Sequence, residues 1–129
     1  MEGGAFSLGS LRGKVAVVTF FSTWCFPCLI ELPQLAALQR RDGPRGLEVV
    51  GIGMDLEGSR VLKPFADQYQ LPFPVLLPTE AMRGGRSPFG PIRELPSTFV
   101  IDREGRITAA FAGPPNPDRL ARLIDGLLE

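Results

Sequence analysis

Cys25 and Cys28 are the two cysteines of a 129-residue chain that contains no histidine. Two thiols at that spacing can close a disulfide across one helical turn and open it again, so thiol–disulfide exchange is the first chemistry to consider. The composition removes several competitors. Without histidine there is no Ser-His or Cys-His nucleophile, and the commonest general base is missing. Four nitrogen or sulfur ligands for a closed zinc site cannot be assembled either. Copper(I) held by two thiolates stays open, as does the plainer alternative of two small thiols buried as core. No metal or bound cofactor is expected, since nothing resembles a Gly-rich nucleotide fingerprint.

The flanking elements decide what each sulfur can do. Lys14 to Ser22 (KVAVVTFFS) is β-branched and aromatic without clear alternation, the pattern of a central strand buried on both faces. From Phe26 to Arg41 the spacing is helical: Leu29, Leu32 and Ala36 share a face with Leu35 and Leu38 beside it, and Asp42-Gly43-Pro44 ends the run. Trp24-Cys25-Phe26-Pro27-Cys28 therefore lies where a strand gives way to a helix. At the helix N-terminus, Cys25 faces free backbone N–H groups that stabilise a thiolate, which makes it the candidate nucleophile. Cys28, one turn inside, is the resolving thiol. Pro27 suits the first turn, where its missing N–H has no intrahelical partner. Phe26 adds bulk but no charge, so thiolate stabilisation is moderate and a reducing couple is predicted.

Downstream, Leu47 to Met54 reads as a second buried strand, and Val61, Leu62, Phe65, Ala66 and Tyr69 fall at helical spacing around Pro64. Pro74 to Leu77 reads as a short strand, and Thr79 to Pro91, rich in Gly and Pro, as loop. Thr98–Ile101 and Arg106–Phe111 flank Asp102-Arg103-Glu104-Gly105 as an antiparallel hairpin. A final helix starts at Asn116 (N-cap) and Pro117, with an apolar stripe of Leu120, Leu123, Ile124, Leu127 and Leu128. The order predicts one α/β domain over residues 1–129, a central mixed sheet with helices on both faces. Lysine plus arginine equals aspartate plus glutamate at 14 each, so no global field points to nucleic acid. The apolar run Val15 to Phe21 is too short to span a bilayer, and Met1-Glu2-Gly3-Gly4 lacks signal-peptide character.

In order along the chain, these residues resemble the thioredoxin superfamily and, within it, the TlpA/ResA-like group of extracytoplasmic reductases. The resemblance runs from Phe6-Ser7-Leu8 and Leu11-Arg12-Gly13-Lys14, through WCFPC and Glu31-Leu32-Pro33, to Leu95–Asp102 and Gly105-Arg106-Ile107. It implies a thioredoxin-like fold in which Pro96 is cis and the backbone of Leu95 faces the dithiol, ready to pair with an extended substrate segment. Glu31 matches an active-site glutamate of ResA-like reductases and is a candidate proton relay; the alternative is an exposed helix glutamate. Trp24, with Phe26, would shape the contact surface beside the disulfide, the alternative for Trp24 being simple core. Pro33 matches the helix-kinking proline of thioredoxin, with a structural role, and Gly113 a glycine that lets a partner approach.

Two departures accompany the match, and a third comparison weighs against a rival. Thr19 stands where thioredoxin has a buried aspartate, six residues before the first cysteine. Ala81 to Gly90 holds Gly84-Gly85, Pro88 and Gly90 where relatives often have a short helix. Ser22 and Val18 occupy the positions where a peroxiredoxin has threonine and proline, which disfavours a peroxidase; a client-binding module without turnover is the other rival. The resemblance implies a monomeric, extracytoplasmic or periplasmic protein-disulfide reductase served by an upstream thiol donor. Relatives act in cytochrome c biogenesis, envelope assembly and thiol repair, and an antioxidant role belongs to the same range.

Overall fold

The computed structural model describes residues 11–129; the Phe6-Ser7-Leu8 part of the resemblance lies outside them. β1 (Val15–Phe21) is buried along its whole length because it is the middle strand of a five-stranded sheet of order β3-β2-β1-β4-β5. β2 (Leu47–Gly53) runs parallel to it, from Val15 opposite Leu47 to Phe21 opposite Gly53. β3 (Val75–Leu76) adds a short parallel edge, so the predicted strand survives only in its centre between two prolines. On the other side β4 (Ser97–Ile101) is antiparallel to β1, with Thr19 opposite Thr98, and β5 (Ile107–Ala112) completes the hairpin.

That hairpin turns as its sequence demands. Gly105 has φ +89°, and Asp102 Oδ1 accepts the N–H groups of Glu104 at 3.0 Å and Arg106 at 2.9 Å.

Alternation along β1 divides the core in two. Val15, Val17 and Phe21 meet Leu32 and Leu35 of α1 (Phe26–Asp42), Leu62 of α2 (Ser59–Gln68), and Leu120 and Ile124 of α4 (Pro117–Leu128). Ala16, Val18 and Phe20 meet Val50, Ile52, Ile101, Met82 and Phe89 on the opposite face. The crossovers β1-α1-β2 and β2-α2-β3 step in the same direction, so the right-handed rule for such connections puts α1 and α2 on one face, and α4 joins them. The second face is covered by the segment between β3 and β4.

In that segment the structure corrects the sequence reading. Glu80–Arg83 forms one turn of helix, α3, where loop is predicted. Thr79 caps it by accepting the Met82 N–H at 3.1 Å, and the buried Met82 pins it to the sheet. Gly84-Gly85 ends the helix rather than preventing it. α2 likewise begins at Ser59, two residues before the first apolar position of its stripe, and carries Pro64 inside it. α4 starts as predicted, with Asn116 Oδ1 accepting the Arg119 N–H at 3.0 Å.

Candidate active site

β1 ends in the middle of the sheet at Phe21, and Ser22-Thr23-Trp24 turns the chain into α1. Cys25 is the N-cap of that helix, and its sulfur accepts the Cys28 N–H at 3.2 Å. Pro27 occupies the first turn, where it forfeits no hydrogen bond, and Pro33 lies in the helix interior, where the carbonyl four residues earlier loses its donor. Cys25 and Cys28 are joined as a disulfide with their Cα atoms 5.2 Å apart. Cys25 keeps 6% of its surface and Cys28 none, so an incoming group meets Cys25 first.

The Leu95–Pro96 peptide bond is cis, and the Leu95 carbonyl oxygen lies 3.6 Å from Cys25 Sγ. Two contacts hold this loop: the Pro96 carbonyl accepts the Gly113 N–H at 2.8 Å, and Ser97 Oγ donates to the Glu94 carbonyl at 2.5 Å. Gly113 has φ +84°, a conformation that favours glycine whatever the space around it. A groove of about 340 Å³ runs past Cys25 between Trp24, Met54, Ile92 and Leu95. Trp24 and Phe26, the sequence neighbours of Cys25, are 73% and 72% exposed, which removes the core alternative for Trp24.

Glu31 is not the exposed helix residue of the plainer reading. It is 1% exposed, one turn beyond Cys28 on the inner side of α1. Its carboxyl reaches the sheet, with Oε1 2.8 Å from Thr19 Oγ1 and Oε2 2.5 Å from Thr98 Oγ1. Burial pushes its pKa above the ordinary carboxyl range, and hydrogen bonds from Thr98 and Thr19 offset part of that rise. Thr19 thus has a new meaning. The strand position where thioredoxin carries an aspartate holds a hydroxyl, and the carboxyl bonded to it comes from the helix.

Sequence reasoning missed Asp55, just beyond β2 and 2% exposed. Its carboxylate accepts the Thr23 hydroxyl at 2.6 Å and the Thr23 N–H at 3.0 Å, tying β2's exit to the turn two residues before Cys25. A polar residue ending a buried strand was its only signal. Asp55→Ala is expected to lower unfolding free energy by about 1–3 kcal/mol, because two donors beside the dithiol lose their acceptor. Urea denaturation checks this; a change within error would show that the turn is held by other contacts.

Comparison with known proteins follows this geometry closely. Residues 1–110 match the AhpC/TSA family model. A thiol-disulfide oxidoreductase ResA of Bacillus cereus is 32% identical over 120 residues, covering 93% of this chain and 67% of the relative. The chain belongs to the AhpC/TSA family, among its ResA-like thiol-disulfide oxidoreductases. A solved thiol:disulfide interchange protein of the thioredoxin family from Chlorobium tepidum TLS is 33% identical with TM-score 0.81, covering 96% of this chain and 86% of that one. A thiol-disulfide isomerase from Corynebacterium glutamicum is 29% identical with TM-score 0.78, covering 98% and 88%. This ResA-like chain therefore has the thioredoxin-like fold and is an oxidoreductase with a Cys25–Cys28 pair, as its sequence predicts.

Proposed function

We propose that this enzyme reduces disulfides of partner proteins, with Cys25 as nucleophile and Cys28 as resolving thiol. The observation that carries the reading is the placement of Cys25: it caps α1, retains the pair's only exposed surface, and faces the Leu95 carbonyl across the groove. In the reduced protein the Cys25 thiolate attacks one sulfur of the partner disulfide, and the other leaves with the electron pair. The mixed disulfide lies along Leu95-Pro96, whose backbone can pair with an extended client, between the exposed rings of Trp24 and Phe26. Cys28 then attacks Cys25, the disulfide of the structure re-forms, and the client departs as a thiolate.

Glu31 serves as the proton acceptor for Cys28 during that second step. Its burial one turn below Cys28 supports the role, since a carboxylate whose pKa is raised by burial is a stronger proton acceptor than an exposed one. Electrons return through an upstream thiol protein. The reading places the chain outside the cytoplasm, where client disulfides persist, acting as a monomer. Among the described residues no helix is long and apolar enough to cross a membrane. Maturation of cytochrome c, a process that repeatedly needs a cysteine pair held reduced, is a role consistent with the relatives.

Equilibration with glutathione buffers tests the direction. Phe26 brings no charge to the Cys25 sulfur, so the dithiol gains little extra stability, and a potential well below the roughly −120 mV of a strong oxidant such as DsbA is expected. A value that high would make the protein an oxidant and overturn the assignment. Reduction of insulin by the protein with a dithiol donor, absent in Cys25→Ser, distinguishes an enzyme from a client-binding module.

A further inference from the structure

We propose that Thr19 and Thr98 are positioning residues that close a three-membered hydrogen-bond ring with Glu31, allowing the buried carboxyl to hold and release the proton exchanged at the dithiol. The inference rests on the reading of Glu31 as proton acceptor and names the groups that make it one.

The ring is defined by three distances. Thr19 Oγ1 to Glu31 Oε1 is 2.8 Å, Thr98 Oγ1 to Glu31 Oε2 is 2.5 Å, and the two hydroxyl oxygens are 3.1 Å apart. All three side chains are buried, with Thr19 and Thr98 at 0% exposure. Each hydrogen bond needs one proton, and two hydroxyls supply two. An ionised Glu31 can satisfy only two contacts. A protonated Glu31 adds the third proton, and every contact then has a donor and an acceptor. The ring therefore closes fully with the carboxyl neutral, and in this structure the dithiol is oxidised.

These states match the two ends of the resolving step. Before it, Glu31 is ionised and both hydroxyls donate to its oxygens, the stronger charge-assisted arrangement. The Cys28 thiol gives its proton to the carboxylate, and the Cys28 thiolate bonds to Cys25 Sγ. The Cys25–client bond breaks with its electron pair on the client sulfur. One proton has moved to Glu31, the two hydroxyls regain their mutual bond, and charge is conserved, since the carboxylate's negative charge has become that of the departing client thiolate. Register fixes the geometry: Thr19 and Thr98 are directly opposed on the central strand pair.

Among the described residues, the elements packed around the carboxyl place one charged group in its cleft, Arg41, and that group is already paired. Strands β1 and β4 present the two hydroxyls. Helix α4 presents Pro117 and Leu120 to the cleft that Glu31 lines with Gln34 and Arg41. The Arg41 guanidinium is committed to Asp42 at 2.8 Å and Asp125 at 3.5 Å. That cleft, of about 250 Å³, shares no lining residue with the Trp24–Leu95 groove.

Infrared titration of the oxidised full chain tests the ring, the Glu31 carboxylic-acid band being identified by its loss in Glu31→Gln. The band is expected at neutral pH in the parent. Thr98→Val removes a charge-assisted donor and is expected to move the band's titration midpoint up by at least about one pH unit, with Thr98→Ser restoring it. Thr19→Val and Thr19→Ser provide the same comparison should Thr98→Val fail to fold. An absent acid band at neutral pH, or midpoints unchanged in the valine variants, overturns the ring. If the band behaves as expected while Glu31→Gln leaves the exchange pH profile untouched, the ring stands and the relay reading fails.

Discussion

Cys28→Ala is expected to convert turnover into a single trapping event. The variant keeps the Cys25 nucleophile, and loses the thiol that displaces the client. Insulin reduction falls to the background of the dithiol donor, and a mixed disulfide accumulates through Cys25. The asymmetry follows from position: Cys25 caps the helix beside the groove, whereas Cys28 has no exposed surface and reaches only its neighbour. Cys25→Ser is expected to lose activity as completely while trapping nothing, because the remaining sulfur is sealed in the core. Non-reducing mass spectrometry of the two variants, mixed with a disulfide-bearing protein, reads the outcome directly. Adducts forming on Cys28 in Cys25→Ser, and none on Cys25 in Cys28→Ala, would reverse the assignment. The same trap, used in extracts, identifies the client.

What could be read from the chain and what could not separate along a physical line. The β4–β5 hairpin and the α4 start were legible because their determinants are local, Asp102 through Gly105 in one case and Asn116-Pro117 in the other. The redox pair was legible for the same reason, since a strand-to-helix junction and its N-cap fall within a few residues. Helix α3 was hidden because glycines that stop it looked like glycines that forbid it; its Thr79 cap and buried Met82 decide otherwise. Asp55 and the surroundings of Glu31 were out of reach, because their partners are set by sheet pairing. Thr98 lies 67 residues from Glu31, and Thr23 lies 32 from Asp55.

The Thr19 position shows how a motif comparison made one residue at a time can mislead. Read alone, threonine in place of the thioredoxin aspartate subtracts an acid from beneath the disulfide. In the folded chain the acid is supplied by α1, and Thr19 is its hydrogen-bond partner. A longer side chain from the helix brings its carboxyl against the strand position at which thioredoxin carries an acid. The site keeps a buried carboxyl while changing the element that carries it. This makes the residue's protonation depend on helix packing as well as on strand chemistry, with consequences for stability.

Glu31→Gln is expected to slow thiol exchange near neutral pH by about a hundredfold, the lower end of the usual range for losing a positioned proton-transfer group. The amide keeps the shape of the side chain but cannot take the Cys28 proton, so the loss belongs to chemistry rather than packing. An unchanged pH–rate profile would remove Glu31 from the mechanism. The same variant carries a second signature. Because burial raises the folded-state pKa of Glu31 above its unfolded value, the folded protein binds this proton more tightly. Its contribution to stability is fully present below the ordinary glutamate pKa and is lost as pH rises through the folded-state value. Each unit of elevation amounts to about 1.4 kcal/mol. Urea midpoints of the oxidised parent are expected to fall over that window, and those of Glu31→Gln to fall less. Parallel curves would mean that the carboxyl is ionised in the folded state throughout. The site would then lack the acid–base group on which rapid resolution by Cys28 depends.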